Sequence, residues 1–259
     1  MAPVTRFRAT TPRAIPLLRR LLAEPGTILT RASTASNAAN LAPAFIGEMQ
    51  RRYAGTLLGR QELEGEIVAD RVDALWRREW FAQQRVENAP DLMRIVVAVD
   101  PPATSGALAD ACGIVAAGRG RDGRGYVLAD VTVKGFEPLG WARTAVEAYR
   151  RFAADCLVVE TNQGGEMVET VIRQVAPGLP VRRVRATRGK WVRAEPVAAL
   201  YGEGRISHVG PLPDLEEQLC DFGPGGLPGG KSPDRLDALV WALTELMLED
   251  GAVPAIRTL

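Results

Sequence analysis

Seven residues constrain this chain more than any others: Arg94-Ile95-Val96-Val97-Ala98-Val99-Asp100, followed at once by Pro101-Pro102. A short unbroken apolar run rich in β-branched side chains predicts a strand covered on both faces. Two prolines cannot extend a ladder, so the strand stops at the carboxylate. An acid therefore stands at the mouth of a central strand, either as a solvated strand end or as part of a cleft.

The chain is long enough, at 259 residues, for one large domain or a domain with an appendage. Net charge is +1, so no global field marks a nucleic-acid partner and any basic surface has to be local. Cations are almost all arginine, since Lys134, Lys190 and Lys231 are the only lysines. Three cysteines, Cys112, Cys156 and Cys220, are odd in number and lack CxxC spacing. That predicts a reducing compartment and neither a disulfide framework nor a zinc site. His208 is the only histidine, which excludes a multi-histidine metal site and argues against a Ser-His-Asp triad. Chemistry here has to run on carboxylates. No run approaches the roughly 18 apolar residues of a membrane span, no secretory signal is expected, and no GxxxxGK[ST] phosphate loop occurs.

Periodicity predicts short helices over 15–23, 37–53 and 73–86, and a linker at Asn88-Ala89-Pro90-Asp91. Trp76 and Trp80, one turn apart, are read as packing anchors. From residue 94 the pattern alternates. Strands are expected at 94–100, 112–118, 126–133, 156–160 and 180–186, the second and third joined as a hairpin by 119–125. Helices are expected at 139–154, 166–175, 193–201 and 214–222. The glycine-rich stretch 223–231 is expected to be a mobile loop. Ser232-Pro233 reads as N-cap and first helical residue of a last helix, 232–249. This makes an α/β chain: a mixed five-stranded sheet flanked by helices, with a mainly helical N-terminal extension. Boundaries are placed at 1–90, 91–250 and 251–259.

Cys156-Leu157-Val158-Val159-Glu160 is a second apolar run ending in an acid, and Asp234 and Asp237 share a face of the last helix. With a right-handed crossover through 139–154, Asp100 and Glu160 end adjacent parallel strands. The late helix can then pack over the same edge. Carboxylates gathered there without cationic partners would repel one another by several kcal/mol, on rough Coulomb scaling. Divalent cations would relieve this, and oxygen ligands suit Mg²⁺ or Mn²⁺. Two such ions can activate water and stabilise a leaving oxygen in phosphodiester cleavage. The order strand acid, hairpin, strand acid, helical acid is that of RNase H-like nucleases.

Residues 94–248 resemble the C-terminal nuclease domain of large terminase subunits of tailed phages or gene-transfer particles. The resemblance rests on Val97-Ala98-Val99-Asp100-Pro101, Cys112-Gly113-Ile114-Val115, Val158 to Gly165, Arg193-Ala194-Glu195-Pro196-Val197 and Asp234-Arg235-Leu236-Asp237-Ala238-Leu239. Asn37 to Pro43 and Leu75-Trp76 resemble the end of that family's motor domain and its linker. The ATP-binding core is missing, which suggests a fragment or a gene product shortened at its N-terminus. The resemblance implies metal-dependent, sequence-non-specific cutting of concatemeric double-stranded DNA during packaging. It implies two Mg²⁺ or Mn²⁺ ions, work in the cytoplasm of the bacterial host, and three partners: a portal protein, a small terminase subunit and other copies of the large subunit. Carried over by position, Asp100, Glu160 and Asp237 are the catalytic acids and metal ligands, with Asp234 an additional ligand. Asp110 is either a supporting acid behind them or a turn residue before a strand.

Arg182, Arg183, Arg185, Arg188, Lys190 and Arg193 place six cations within twelve residues. They are read as a phosphate-contacting surface or a solvated face, with Lys231 a further phosphate contact. Arg119, Arg121 and Arg124 of the hairpin form a third basic surface. Two other functions fit less of the pattern: a Holliday-junction-resolvase-like nuclease of the same fold, and a non-catalytic docking module of a packaging motor.

Overall fold

The structure is a computed structural model that describes residues 21–22, 24–53, 59, 63–65, 71–102, 110–162 and 165–249. Contacts divide the chain into two units, Met1–Asp70 and Arg71–Leu259.

In the first unit a 3-10 helix, Ala35–Asn40, precedes helix α1, Pro43–Tyr53. The single helix expected over 37–53 is thus split at Leu41, where the backbone is extended before a proline that starts the next helix. Most of the expected helix 15–23 and the tail 251–259 lie outside the described residues.

The second unit holds helix α2 (Arg78–Gln84) and strands β1 (Leu92–Asp100), β2 (Gly113–Gly120) and β3 (Gly125–Asp130). Helix α3 (Pro138–Arg151), strand β4 (Cys156–Glu160), helix α4 (Gly165–Val175) and strand β5 (Val181–Val184) follow. Helix α5 (Lys190–Gly202), strand β6 (Ile206–His208), helix α6 (Pro213–Asp221) and helix α7 (Asp234–Leu243) complete it, α7 running into a π-turn at Thr244–Leu248. The sheet order is β5-β4-β1-β2-β3-β6. β1–β2 and β2–β3 are antiparallel, and the remaining pairs are parallel.

The expected five strands all form, and a sixth, three-residue strand extends the β3 edge. Its Ile206-Ser207-His208 has too few apolar residues to announce a strand, and it exists because β3 offers a free edge. Apolar side chains of β1 alternate between two cores. Val96 and Ala98 face α5, α6 and α7, whereas Ile95, Val97 and Val99 face α3 and α4. That double cover is why the run reads as continuous rather than alternating.

Residues 71–90, assigned from sequence to the N-terminal extension, belong to the second unit. Trp76 is fully buried edge-on to Tyr201, and Phe81 stacks on His208 at 4.9 Å. Both tryptophans of this stretch pack against the core. α7 begins one residue later than Ser232 as cap would have it. Pro233 is the cap residue, and its carbonyl accepts the first helical bond from Asp237 N at 2.9 Å. The glycine-rich stretch is tied down: Gly223 and Gly226 exchange two backbone hydrogen bonds, and Arg71 Nη1 donates to Gly226 O and Asp221 O, both at 3.1 Å. No helix of the described residues is long and apolar enough to cross a membrane.

Candidate active site

Asp100 closes β1 and Glu160 closes β4. These strands are parallel neighbours in register from Val96↔Cys156 to Val99↔Val159, so both acids leave the same edge of the sheet. On its other side Asp100 pairs with Gly113 of β2. The first turn of α7 packs onto that glycine and so brings Asp234 and Asp237 down beside Asp100. Asp234 is fastened there by Ala111 N, which donates to Oδ2 at 3.0 Å.

Asp237 is 1% exposed. Its Oδ1 accepts from Arg193 Nη2 at 3.0 Å, and its Oδ2 lies against the Lys190 ammonium. Lys190 and Arg193 are three apart on α5 and so share a face. Arg193 also reaches Glu160, with Nη1 3.7 Å from Oε2, and lies over the Trp241 ring at 4.6 Å from its centroid. Trp241 Nε1 donates to the same Glu160 oxygen at 2.6 Å. The acids are therefore not free of cationic partners, contrary to the sequence reading. The reason is tertiary: α5 turns two of its cations inward across the carboxylates.

Charge is still crowded. Burial pushes the Asp100 carboxyl well above the usual carboxylate range, the charges of Asp237 and Glu160 push it further, and Lys190 offsets part of this. Burial raises Asp234 to about 6, held back by its Ser232 hydrogen bond and pushed on by Asp110. Asp237 is raised too, because burial outweighs Lys190 and Arg193. Burial would lower the Lys190 ammonium, but Asp237, then Asp100 and Asp234, hold it above its ordinary value. Asp100, Glu160, Asp234 and Asp110 line a cleft of about 410 Å³ that Arg188, Lys190 and Arg193 line as well.

Among the described residues no three His, Cys, Asp or Glu side chains already stand as a formed metal centre. The donor chemistry fits a hard divalent cation nonetheless. All donors are carboxylate oxygens, and Asp237 Oδ2 is buried without accepting a well-formed hydrogen bond. For a cation to engage it, the Lys190 ammonium has to give way.

The other sequence-selected residues separate into two groups. Arg182 is paired with Glu245 and Glu249, and Arg183 with Glu169. Arg185, Arg188 and Lys231 are exposed and, among the described residues, make no ion pair. Of the hairpin arginines, Arg119 donates to Leu246 O at 3.4 Å and Arg124 to Ser207 Oγ at 3.1 Å, whereas Arg121 is exposed. Asp110 is exposed at the cleft rim. Sequence reasoning missed Trp241 and the inward role of Arg193. Their only local signal is an i, i+4 spacing of Trp241 from Asp237, which reads equally well as core.

A family model described as the terminase RNaseH-like domain matches residues 97–246. The nuclease domain of the large terminase subunit gp2 of bacterial virus Sf6 matches with a TM-score of 0.52 at 16% identity, over 66% of this chain and 98% of that one. The human cytomegalovirus terminase nuclease domain, Mn soaked and inhibitor bound, matches at 0.50 and 18% identity, over 65% and 93%. The large terminase of a thermophilic bacteriophage, in complex with ADP, matches at 0.53 and 12% identity, over 83% and 54%. The chain thus spans about half the length of that ADP-bound terminase. At such identities these likenesses show the fold. No curated protein matches.

Proposed function

The chain belongs to the terminase RNaseH-like domain family, and from that premise we propose that it is a divalent-metal-dependent endonuclease cutting double-stranded DNA during genome packaging. The observation that carries this reading is the meeting of strand-end acids Asp100 and Glu160 with helical acids Asp234 and Asp237 at one sheet edge. Asp100, Glu160 and Asp237 would hold two Mg²⁺ or Mn²⁺ ions, with Asp234 an additional ligand. When bound, the ions supply an activated water and stabilise the leaving oxygen.

The chain's own residues do the remainder. Arg193 and Trp241 both hold Glu160 by its Oε2, which fixes the carboxylate at the cleft wall. Lys190 holds Asp237; a cation bound at Asp237 would leave this ammonium facing the cleft, where it would serve as a phosphate contact. Arg188 and Lys231, free of acids among the described residues, meet the DNA backbone, and Arg185 extends that surface. The Mn soak of the cytomegalovirus domain supports a divalent ion. Concatemeric phage DNA, a portal, a small terminase subunit and the cytoplasm of the bacterial host are the setting consistent with the family. Residues 1–90 then correspond to the end of a motor domain and its linker.

Plasmid cleavage tests this. Supercoiled plasmid is expected to be cut with Mn²⁺ or Mg²⁺, not with EDTA, and not by Asp100→Asn or Asp237→Asn. Metal-independent cutting, or cutting retained in both variants, sinks the reading. A large preference for four-way junctions over linear duplex would replace it with a resolvase.

A further inference from the structure

Beside the carboxylate cleft lies a second cavity of about 550 Å³. Lys190 and Ser232, whose side chains meet at 3.4 Å, line both and form the wall between them. The proposed chemistry leaves this second space without a role. One side of it is aromatic. Trp191 stacks on the buried Phe222, ring centroids 5.9 Å apart and planes 29° apart. Trp191 Nε1 donates to Glu195 Oε1 at 2.8 Å, so the indole is held in one orientation while remaining partly exposed. Pro224, Gly225 and Gly226 of the closed 223–226 turn also line it, and the two glycines add no side chain to the wall. Lys231 stands on the wall, exposed and, among the described residues, without an acidic partner. Asp110 is the one acid on the wall among the described residues, and it also lines the carboxylate cleft.

We propose that this cavity receives one unpaired nucleotide of the strand being cut, its base on Trp191 and its phosphate on Lys231. The proposal rests on the nuclease reading and extends it to the state of the substrate. A space of this volume falls in the range of small-ligand pockets, roughly 300–1,000 Å³. It has room for one base with its sugar, and a base reaches the Trp191 face only by leaving its own stack. A fixed aromatic face takes any base, which suits cutting without sequence preference. The Lys231 ammonium on the cavity wall supplies a point charge for the adjoining phosphate. The duplex is therefore opened locally beside the cleavage point, and frayed or single-stranded DNA is bound in preference to a closed helix.

Fluorescence anisotropy of the full chain in EDTA tests this, with a short labelled oligo-dT strand and a blunt duplex of the same length. The strand is expected to bind about tenfold tighter than the duplex, and Trp191→Leu to weaken strand binding by about tenfold with little change for duplex. Trp191→Phe, which keeps a ring, restores most of the loss. Lys231→Ala weakens strand binding and lowers its salt slope by about one. If Trp191→Leu does not fold, as judged by its melting curve, Lys231→Ala on the exposed loop carries the test. Equal affinity for strand and duplex, or strand binding indifferent to the substitutions, overturns the proposal. Metal-dependent plasmid cutting alongside such indifference removes the nucleotide site alone. Trp191-dependent strand binding without any metal-dependent cutting removes the nuclease reading alone.

Discussion

A Cβ placed on Gly113 would lie 1.9 Å from the backbone oxygen of Asp234 and 2.6 Å from its carbonyl carbon. The obstacle is main chain, which cannot swing aside as a side-chain tip can. Gly113 also pairs with Asp100 across the β1–β2 ladder. The same hydrogen-for-methyl economy therefore sets how near the helical acids come to the strand acid. Gly113→Ala is expected to lower stability by about 2 kcal/mol or more, as overpacking against backbone does, and to reduce metal-dependent cutting further than the lost stability explains. A denaturant melt with a cleavage assay checks both. A wild-type midpoint would show that α7 is not seated by this contact.

Asp100→Asn separates activity from stability. Asp100 is crowded by the charges of Asp237, Glu160 and Asp234. An amide of the same shape removes that repulsion and a proposed cation ligand together. Cutting is expected to fall by at least about a hundredfold, the scale of losing charge stabilisation in the transition state. The midpoint of thermal unfolding in EDTA is expected to hold or rise by a few degrees. A clear drop in that midpoint would mean the carboxylate is a structural anchor instead.

Glu245 supplies the contrast. It is a buried acid that the proposed chemistry does not use, bound by Arg94 at the start of β1 and by Arg182 of β5, with Arg182 Nε 2.8 Å from Oε2. β1 carries Arg94 near one end and Asp100 at the other, about 20 Å apart at strand rise. Glu245→Gln leaves two cations without their charge partner and is expected to cost about 2 kcal/mol or more. Cutting per folded molecule should stay at the wild-type level. Loss of cutting in a folded Glu245→Gln protein would tie this end of the sheet to the site.

A buried chain of polar groups sets the acid limit of the fold. Glu216 is held by two Arg85 nitrogens at 2.9 and 3.0 Å and by His208 Nδ1 at 2.9 Å, while Tyr201 donates to His208 Nε2 at 2.8 Å. Burial alone would raise the Glu216 carboxyl, but His208 and Arg85 bring it down to about 2 from 4.5. A depressed acid contributes stability that is complete above its unfolded value near 4.5 and is lost as pH falls towards 2. Up to about 3 kcal/mol rides on this window. Burial also lowers His208, so protons favour the unfolded chain below its ordinary 6.5, with the same sign. Stability measured from about pH 6 to about pH 3 is expected to fall, and Glu216→Gln to flatten the part below 4.5. An unchanged profile in that variant would count against the assignment.

The strand cores and their acidic ends were legible in the sequence because both are local signals. A run of β-branched residues covered on two faces needs no partner to be read, and Pro101-Pro102 end it wherever the strand lies. The order of the acids along the chain was enough to indicate an RNase H-like sheet, and the register Val99↔Val159 agrees with it. Which cation meets which acid was not legible. Arg182, Arg183, Lys190 and Arg193 look alike in a basic stretch. Two of them turn to Glu245, Glu249 and Glu169, and two turn onto Asp237. That choice depends on how α5, β5 and α7 dock, across gaps of fourteen to sixty-seven residues that leave no periodic trace. The short β6 was likewise decided by what the sheet edge had left to cover. Local chemistry determined where the acids end their strands; only packing of the whole sheet against its helices decided what neutralises them.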